Sequence, residues 1–137
     1  MDRVSPEVRS RTMRAIRSKD MKPELAVRHL VHGMGYRYRL HRHDLPGRPD
    51  LVFPGRRKVI FVHGCFWHQH AEPGCKLAHA PRSNLDYWEP KLARTQERDK
   101  ANRAALEDTG WNVLAIWECE VKAAGGLANR VRQFLDA

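Results

Sequence analysis

Three cysteines, at positions 65, 75 and 119, constrain this 137-residue chain more than any other feature. An odd number cannot all pair within one chain, so a secreted disulfide scaffold is a poor reading. Two of the three lie in a loop-like stretch, Phe61-Val62-His63-Gly64-Cys65-Phe66-Trp67-His68-Gln69-His70-Ala71-Glu72-Pro73-Gly74-Cys75. Cys65, His70 and Cys75 are evenly spaced there, and Pro73-Gly74 lets the backbone turn back. Cys119 follows the apolar run 111–117. Three thiolates and one imidazole make a complete tetrahedral zinc set. His63 and His68 are rival donors, and three unrelated buried thiols are the plain alternative. A closed four-ligand site has no open position, so such a zinc is structural. It would tie a loop to a distant strand and replace core that a small domain lacks.

Lys and Arg total 25 against 16 Asp and Glu, a formal charge of +9. That excess points to a polyanionic partner, nucleic acid before an anionic membrane surface. With 42% hydrophobic residues, the chain is not a disordered basic tail. No apolar run approaches a membrane span, and the charged N-terminus lacks a signal-peptide core. A cytoplasmic location is the expectation.

The charge is uneven. Residues 1–22 carry Arg3, Arg9, Arg11, Arg14, Arg17, Lys19 and Lys22 with few apolar residues. Ser5-Pro6-Glu7 can start a helix there, but one that packs weakly and suits an arm lying on something else. Residues 23–137 read as the folded domain. Pro23-Glu24 opens an amphipathic helix carrying Leu25, Val27, Leu30, Val31 and Met34. The alternation in 36–40 predicts a half-buried strand. Residues 50–53 and 59–62, parted by Pro54-Gly55, predict an antiparallel hairpin. Ser83 or Asn84 can cap a long helix running to Asp108. Residues 111–117 form a strand, and Gly125-Gly126 precedes a final helix. The order predicts a mixed α/β domain with one central sheet flanked by helices.

Asp50 leads into the first hairpin strand, whose pairing brings it near Val62-His63. A carboxylate there, with a backbone carbonyl and waters, is what Mg²⁺ needs beside a phosphate. Glu24 is a candidate second, outer carboxylate, and a simple turn residue is the alternative for Asp50. His63 and His68 flank Phe66-Trp67. Either can activate water or protonate a leaving alkoxide, or serve as a spare metal ligand. Phe66-Trp67 suits a core, or wedges that enter between bases.

Gly47-Arg48-Pro49-Asp50, Val62-His63-Gly64-Cys65-Phe66-Trp67-His68 and Trp117-Glu118-Cys119 together closely resemble the very short patch repair endonucleases. The segment Arg9-Ser10-Arg11-Thr12-Met13-Arg14-Ala15-Ile16, followed by Asp20 and Glu24, is similar to that family's N-terminal region. The resemblance implies a restriction-endonuclease-like α/β fold with a structural zinc. It implies an Mg²⁺-dependent enzyme that nicks one strand 5′ of the thymine in a T:G mismatch, the product of 5-methylcytosine deamination. Carried over by position, Asp50 is the Mg²⁺ carboxylate and Val62 offers a backbone carbonyl to the same region. His68 is the catalytic histidine with Asp99 as its partner, and His63 and Glu24 are further active-site residues. Cys65, His70, Cys75 and Cys119 are the zinc ligands. Phe66, Trp67 and Trp88 are the aromatic wedge, and Met13, beside Arg14, inserts from the opposite groove. The family carries Thr where this chain has Val62, which removes a hydroxyl but no carbonyl. The implied protein is a monomer that clamps mismatched duplex DNA with its basic arm and passes the nick to downstream repair proteins. A non-catalytic zinc module on DNA and a nuclease without mismatch preference are the competing readings. Asp50, Glu24, His68 and Asp99 argue against the first, because binding alone does not need them.

Overall fold

The computed structural model describes residues 22–40, 42–71, 75–78, 81–123 and 125–137. The expected arm, with Met13 and Arg14, lies outside the described residues.

Helix α1 (Pro23–Gly33) has Pro at its start, where a missing N–H costs nothing, and Glu24 in its first turn. The hairpin forms as β1 (Leu51–Phe53) and β2 (Lys58–His63), joined by a 3₁₀ turn at Pro54–Arg56. Arg57 closes that turn in the left-handed region, at φ 53°. After a second 3₁₀ turn (Lys76–Ala78) come α2 (Leu85–Asp108) and β3 (Asn112–Trp117). Helices α3 (Glu118–Ala123) and α4 (Leu127–Asp136) complete the order. The three strands stand in the order β1-β2-β3. β1 and β2 are antiparallel, with Leu51 opposite Ile60, while β2 and β3 are parallel, with His63 opposite Trp117.

Each strand divides its side chains between two faces. Leu51, Phe53, Ile60 and Ile116 meet Val27 and Val31 of α1 and Leu127, Val131 and Leu135 of α4 in one buried cluster. Val52, Val59 and Val113 meet Leu106 of α2 and Trp111 in a second, smaller one. Lys58, a buried cation, donates from Nζ to the carbonyls of Phe134, Leu135 and Ala137 at 2.6, 3.2 and 2.8 Å. It thereby supplies donors that the end of α4 would otherwise lack.

Three local expectations change. Residues 36–40 make only an isolated bridge, Arg39 to Val52, rather than a strand. Their alternation is real, since Tyr36, Tyr38 and Leu40 pack on the first cluster, but β1 is too short to carry a longer ladder. Asn84 caps α2 through its backbone, not its side chain. Its own φ is 54°, and its carbonyl accepts the N–H groups of Tyr87 and Trp88 at 3.0 Å each. Helix α3 was not anticipated, because six residues of mixed polarity show no apolar period. Among the described residues, no helix is long and apolar enough to cross a membrane.

Candidate active site and metal centre

The 24 residues of α2 extend about 36 Å. Only Leu92 and Leu106 are buried along it. Its C-terminal part lies on the second face of the sheet. Its middle instead borders an open cleft of about 760 Å³, with Phe61, His63, Ala115 and Trp117 on the sheet side. Asp50, Val62, His68 and Asp99 line the same cleft.

The hairpin register places Asp50 one step before Leu51, opposite the end of β2. Its Oδ2 accepts the backbone N–H of Val62 at 2.6 Å. Burial raises its carboxyl above the usual range, the Val62 N–H pulls it back down, and the Glu24 charge raises it further. Glu24 therefore acts on Asp50 through space from α1, while its Oε2 accepts from Arg28 at 3.4 Å.

His68 sits in the turn after β2, and its Nδ1 is 2.5 Å from Asp99 Oδ2 in the middle of α2. His63 lies flat against it, with ring centroids 3.9 Å apart and planes 5° apart. Burial, with the neighbouring His68 charge, pushes the His63 imidazole down to about 4, so it is neutral at pH 7. Gly47 brings the 42–49 loop against α2. At φ +75° it adopts a conformation that favours glycine, and any Cβ would meet the Asn102 side chain at 2.9 Å.

Cys65, His70, Cys75 and Cys119 come together as a second cluster. One donor atom from each lies within 4.8 Å of all the others. His70 Nδ1 is 3.8 Å from Cys65 Sγ and 3.4 Å from Cys119 Sγ. Tetrahedral zinc with thiolate and imidazole ligands has edges of about 3.5–3.8 Å, so the donor set fits that ion. Burial pushes the Cys65 thiol up to about 12, a penalty that a bound cation would relieve. Cys119 enters on α3, the short helix not foreseen from the sequence.

Between the two clusters stands Trp117. Its ring stacks on His70 at 4.1 Å and 10°, and His63 meets it edge-on at 5.0 Å. Cys65 and His70 thus bracket Phe66, Trp67 and His68 in the chain. Phe66 and Trp67 pack with Trp88 at the start of α2, at centroid distances of 5.3–5.8 Å. Trp67 is 48% exposed and Tyr87 54%, so this group is a surface ridge rather than a core.

Sequence reasoning missed several parts. Tyr87 stands against Trp88 at 5.0 Å, and Lys91, one turn on, donates to the Tyr87 hydroxyl at 2.8 Å. The adjacent Tyr-Trp pair at a helix start was the available signal. Lys100 and Arg103 line the cleft from α2. The sequence marks Trp117 as a strand residue and as part of the Trp117-Glu118-Cys119 motif but gives it no role, since its stacking depends on the β2–β3 register.

The family model described as DNA mismatch endonuclease Vsr matches residues 1–73, just over half of the chain. The chain belongs to the Vsr family. Within it, the chain is 53% identical over 135 residues to Type II nicking enzyme V.XorIIP of Xanthomonas oryzae pv. oryzae, covering 98% of this chain and 97% of that one. It is 42% identical over 114 residues to Type II nicking enzyme V.NmeAIP of Neisseria meningitidis, covering 83% and 79%. It is 40% identical over 114 residues to DNA mismatch endonuclease Vsr of Escherichia coli, covering 83% and 71%. This Vsr-family chain is therefore an endonuclease of DNA repair, and its Cys/His cluster has the donors to hold a metal ion.

Proposed function

We propose that this protein is a strand-specific mismatch endonuclease that nicks 5′ of the thymine in T:G mismatches, starting very short patch repair. One observation carries the reading. A carboxylate held by a backbone N–H and a histidine held by a second carboxylate converge on one cleft, beside an exposed aromatic ridge. The three-stranded mixed sheet, with helices on both faces, supports a restriction-endonuclease-like assignment.

The attacking water needs a base and the phosphate needs charge stabilisation. Asp99 holds His68 at Nδ1, which leaves Nε2 to take the water's proton. The neutral His63 ring keeps the imidazole of His68 in plane without adding a competing charge. Asp50, with the Val62 carbonyl and Glu24 as outer carboxylate, offers the oxygen donors that Mg²⁺ prefers. When bound, that ion supplies Lewis-acid stabilisation of the phosphate and the leaving 3′ oxygen. Zinc on Cys65, His70, Cys75 and Cys119 has a structural role.

Phe66, Trp67 and Trp88 are the wedge at the mismatch. A T:G wobble stacks less well than a matched pair, so opening it costs less. If the difference is about 2–3 kcal/mol of an unstacking cost of a few, it becomes roughly a hundredfold preference. The basic arm, residues 1–22, clamps the opposite groove through phosphates, with Met13 and Arg14 at the duplex. The working form is a cytoplasmic monomer that leaves its nick to downstream repair proteins. A panel of T:G, matched and other mismatched duplexes, incubated with and without Mg²⁺, tests the reading. The T:G duplex is expected to be nicked about a hundredfold faster than matched DNA, and only with Mg²⁺. Equal rates across the panel would remove the mismatch assignment.

Trp117 gives a separate expected outcome. Trp117→Leu removes the plane between His70 and His63, loosening the stack that seats His68. A misplacement near 1 Å can cost about a hundredfold. kcat should fall by roughly ten- to a hundredfold with duplex affinity unchanged, and Trp117→Phe should restore most of it. Zinc content separates this effect from metal loss, because Trp117 is not a ligand.

A further inference from the structure

At the outer edge of the sheet, Arg39 commits both of its backbone groups to Val52, at 2.8 and 3.0 Å. In an antiparallel pair, alternate residues bond to opposite sides. Tyr38 and Leu40 therefore direct their N–H and C=O groups away from β1. Among the described residues, those groups have no backbone partner. Open edges of this kind are templates for an added strand.

The side chains there are also uneven. Tyr36, Tyr38 and Leu40 turn inward onto the core, while Arg37 and Arg39 are exposed. Neither arginine side chain has a hydrogen-bond or ion-pair partner among the described residues. Beside them runs a groove of about 770 Å³, bounded by Tyr36, Phe53, Pro54 and Arg56. Arg56 is already engaged, donating to the Leu135 carbonyl at 2.7 Å and lying 3.6 Å from Asp136. Among the described residues, Arg37 and Arg39 are the two arginines of this groove without a partner.

We propose that this edge docks an extended acidic peptide segment of a partner protein, which adds as a strand along residues 37–40. Carboxylates at alternate positions would stand opposite Arg37 and Arg39, as favourable cross-strand pairs do. A nucleic-acid backbone fits less well. Phosphates only accept hydrogen bonds, whereas this edge presents both donors and acceptors. The chain's own residues 1–21 are net positive and do not complement it. The edge runs away from the cleft. Leu40 stands level with Leu51, next to Asp50, whereas Arg37 lies beyond Phe53, which pairs with Lys58, five steps or about 17 Å along β2 from His63. A partner seated at the Arg37 end leaves the cleft open to a duplex.

The test uses a labelled eight-residue peptide with Glu at alternate positions and Val between them. Its binding is followed by anisotropy at physiological salt, with a saturating T:G duplex present to occupy the nucleic-acid face. The peptide should bind the duplex-loaded protein. Arg37→Glu with Arg39→Glu should weaken it at least tenfold, while nicking stays within twofold of wild type. Arg37→Gln with Arg39→Gln should weaken it by less. Methylating alternate backbone nitrogens should abolish binding, because strand addition needs those N–H groups and charge attraction does not. Equal binding of the methylated peptide, or unchanged binding by the double Glu variant, would overturn the proposal. So would a loss of duplex affinity in that variant, which would assign the edge to the DNA footprint.

Discussion

Asp50→Asn is expected to lower the nicking rate by about a thousandfold or more while leaving duplex affinity within about threefold. The substitution is nearly isosteric, and its carbonyl oxygen can still accept the Val62 N–H that Asp50 now holds at 2.6 Å. The hairpin end therefore stays in place. What is lost is the charge. Burial and the Glu24 carboxylate work against ionising Asp50, the Val62 N–H and the Arg28 charge offset part of that, and a cation beside it would offset the rest. Charge stabilisation worth several kcal/mol corresponds to about three powers of ten in rate. Single-turnover nicking of a T:G duplex, with anisotropy for binding and a melting curve for folding, separates the terms. Nicking within tenfold of wild type, at unchanged melting temperature, would remove Asp50 from the chemistry. If burial of the charge currently costs stability, the Asn variant should melt slightly higher, a sign opposite to that of a simple structural lesion.

Much of this scaffold was legible because the relevant signals are local. Pro54-Gly55 between two apolar runs announces a hairpin, and a hairpin register alone carries Asp50 to Val62. The amphipathic periods of α1 and α4 announce the helices that cover the first face. The contacts that remained hidden are those made across long separations. His68 and Asp99 are 31 residues apart, and a lone Asp inside a polar helix looks like a solvated one. Only the family resemblance singled it out. Trp117 reads as an ordinary strand aromatic until the parallel register sets it beside His63. Local patterns also mislead where tertiary context decides. Residues 36–40 alternate like a strand, yet a three-residue β1 can pair with only one of them. Asn84 has the chemistry of a side-chain cap, but its left-handed backbone puts the carbonyl to that use instead.

Cys119→Ser should have the largest effect on the folded state. Four donors within 4.8 Å join a loop between β2 and α2 to the far end of β3, where the Trp117 ring on His70 is the other contact described. Serine is a poor zinc ligand at neutral pH, so the variant should lose most of the one equivalent of zinc proposed for this cluster. Metal binding to such a site is folding free energy, and each kcal/mol lost lowers Tm by about 4 °C for a domain of this size, so a fall of about 10 °C or more is expected. Nicking should fall with it, because Cys65 and His70 bracket Phe66, Trp67 and His68, and the released turn carries all three. Chelation supplies the control. A strong chelator should lower the wild-type Tm to that of the variant and leave the variant unchanged, since both then lack the same ion. Full zinc stoichiometry in the variant would take Cys119 out of the site. An unchanged Tm despite zinc loss would mean that the loop is held by the ring stack of His70 on Trp117 rather than by the metal. In that case Trp117→Leu, and not Cys119→Ser, would be the substitution that releases it.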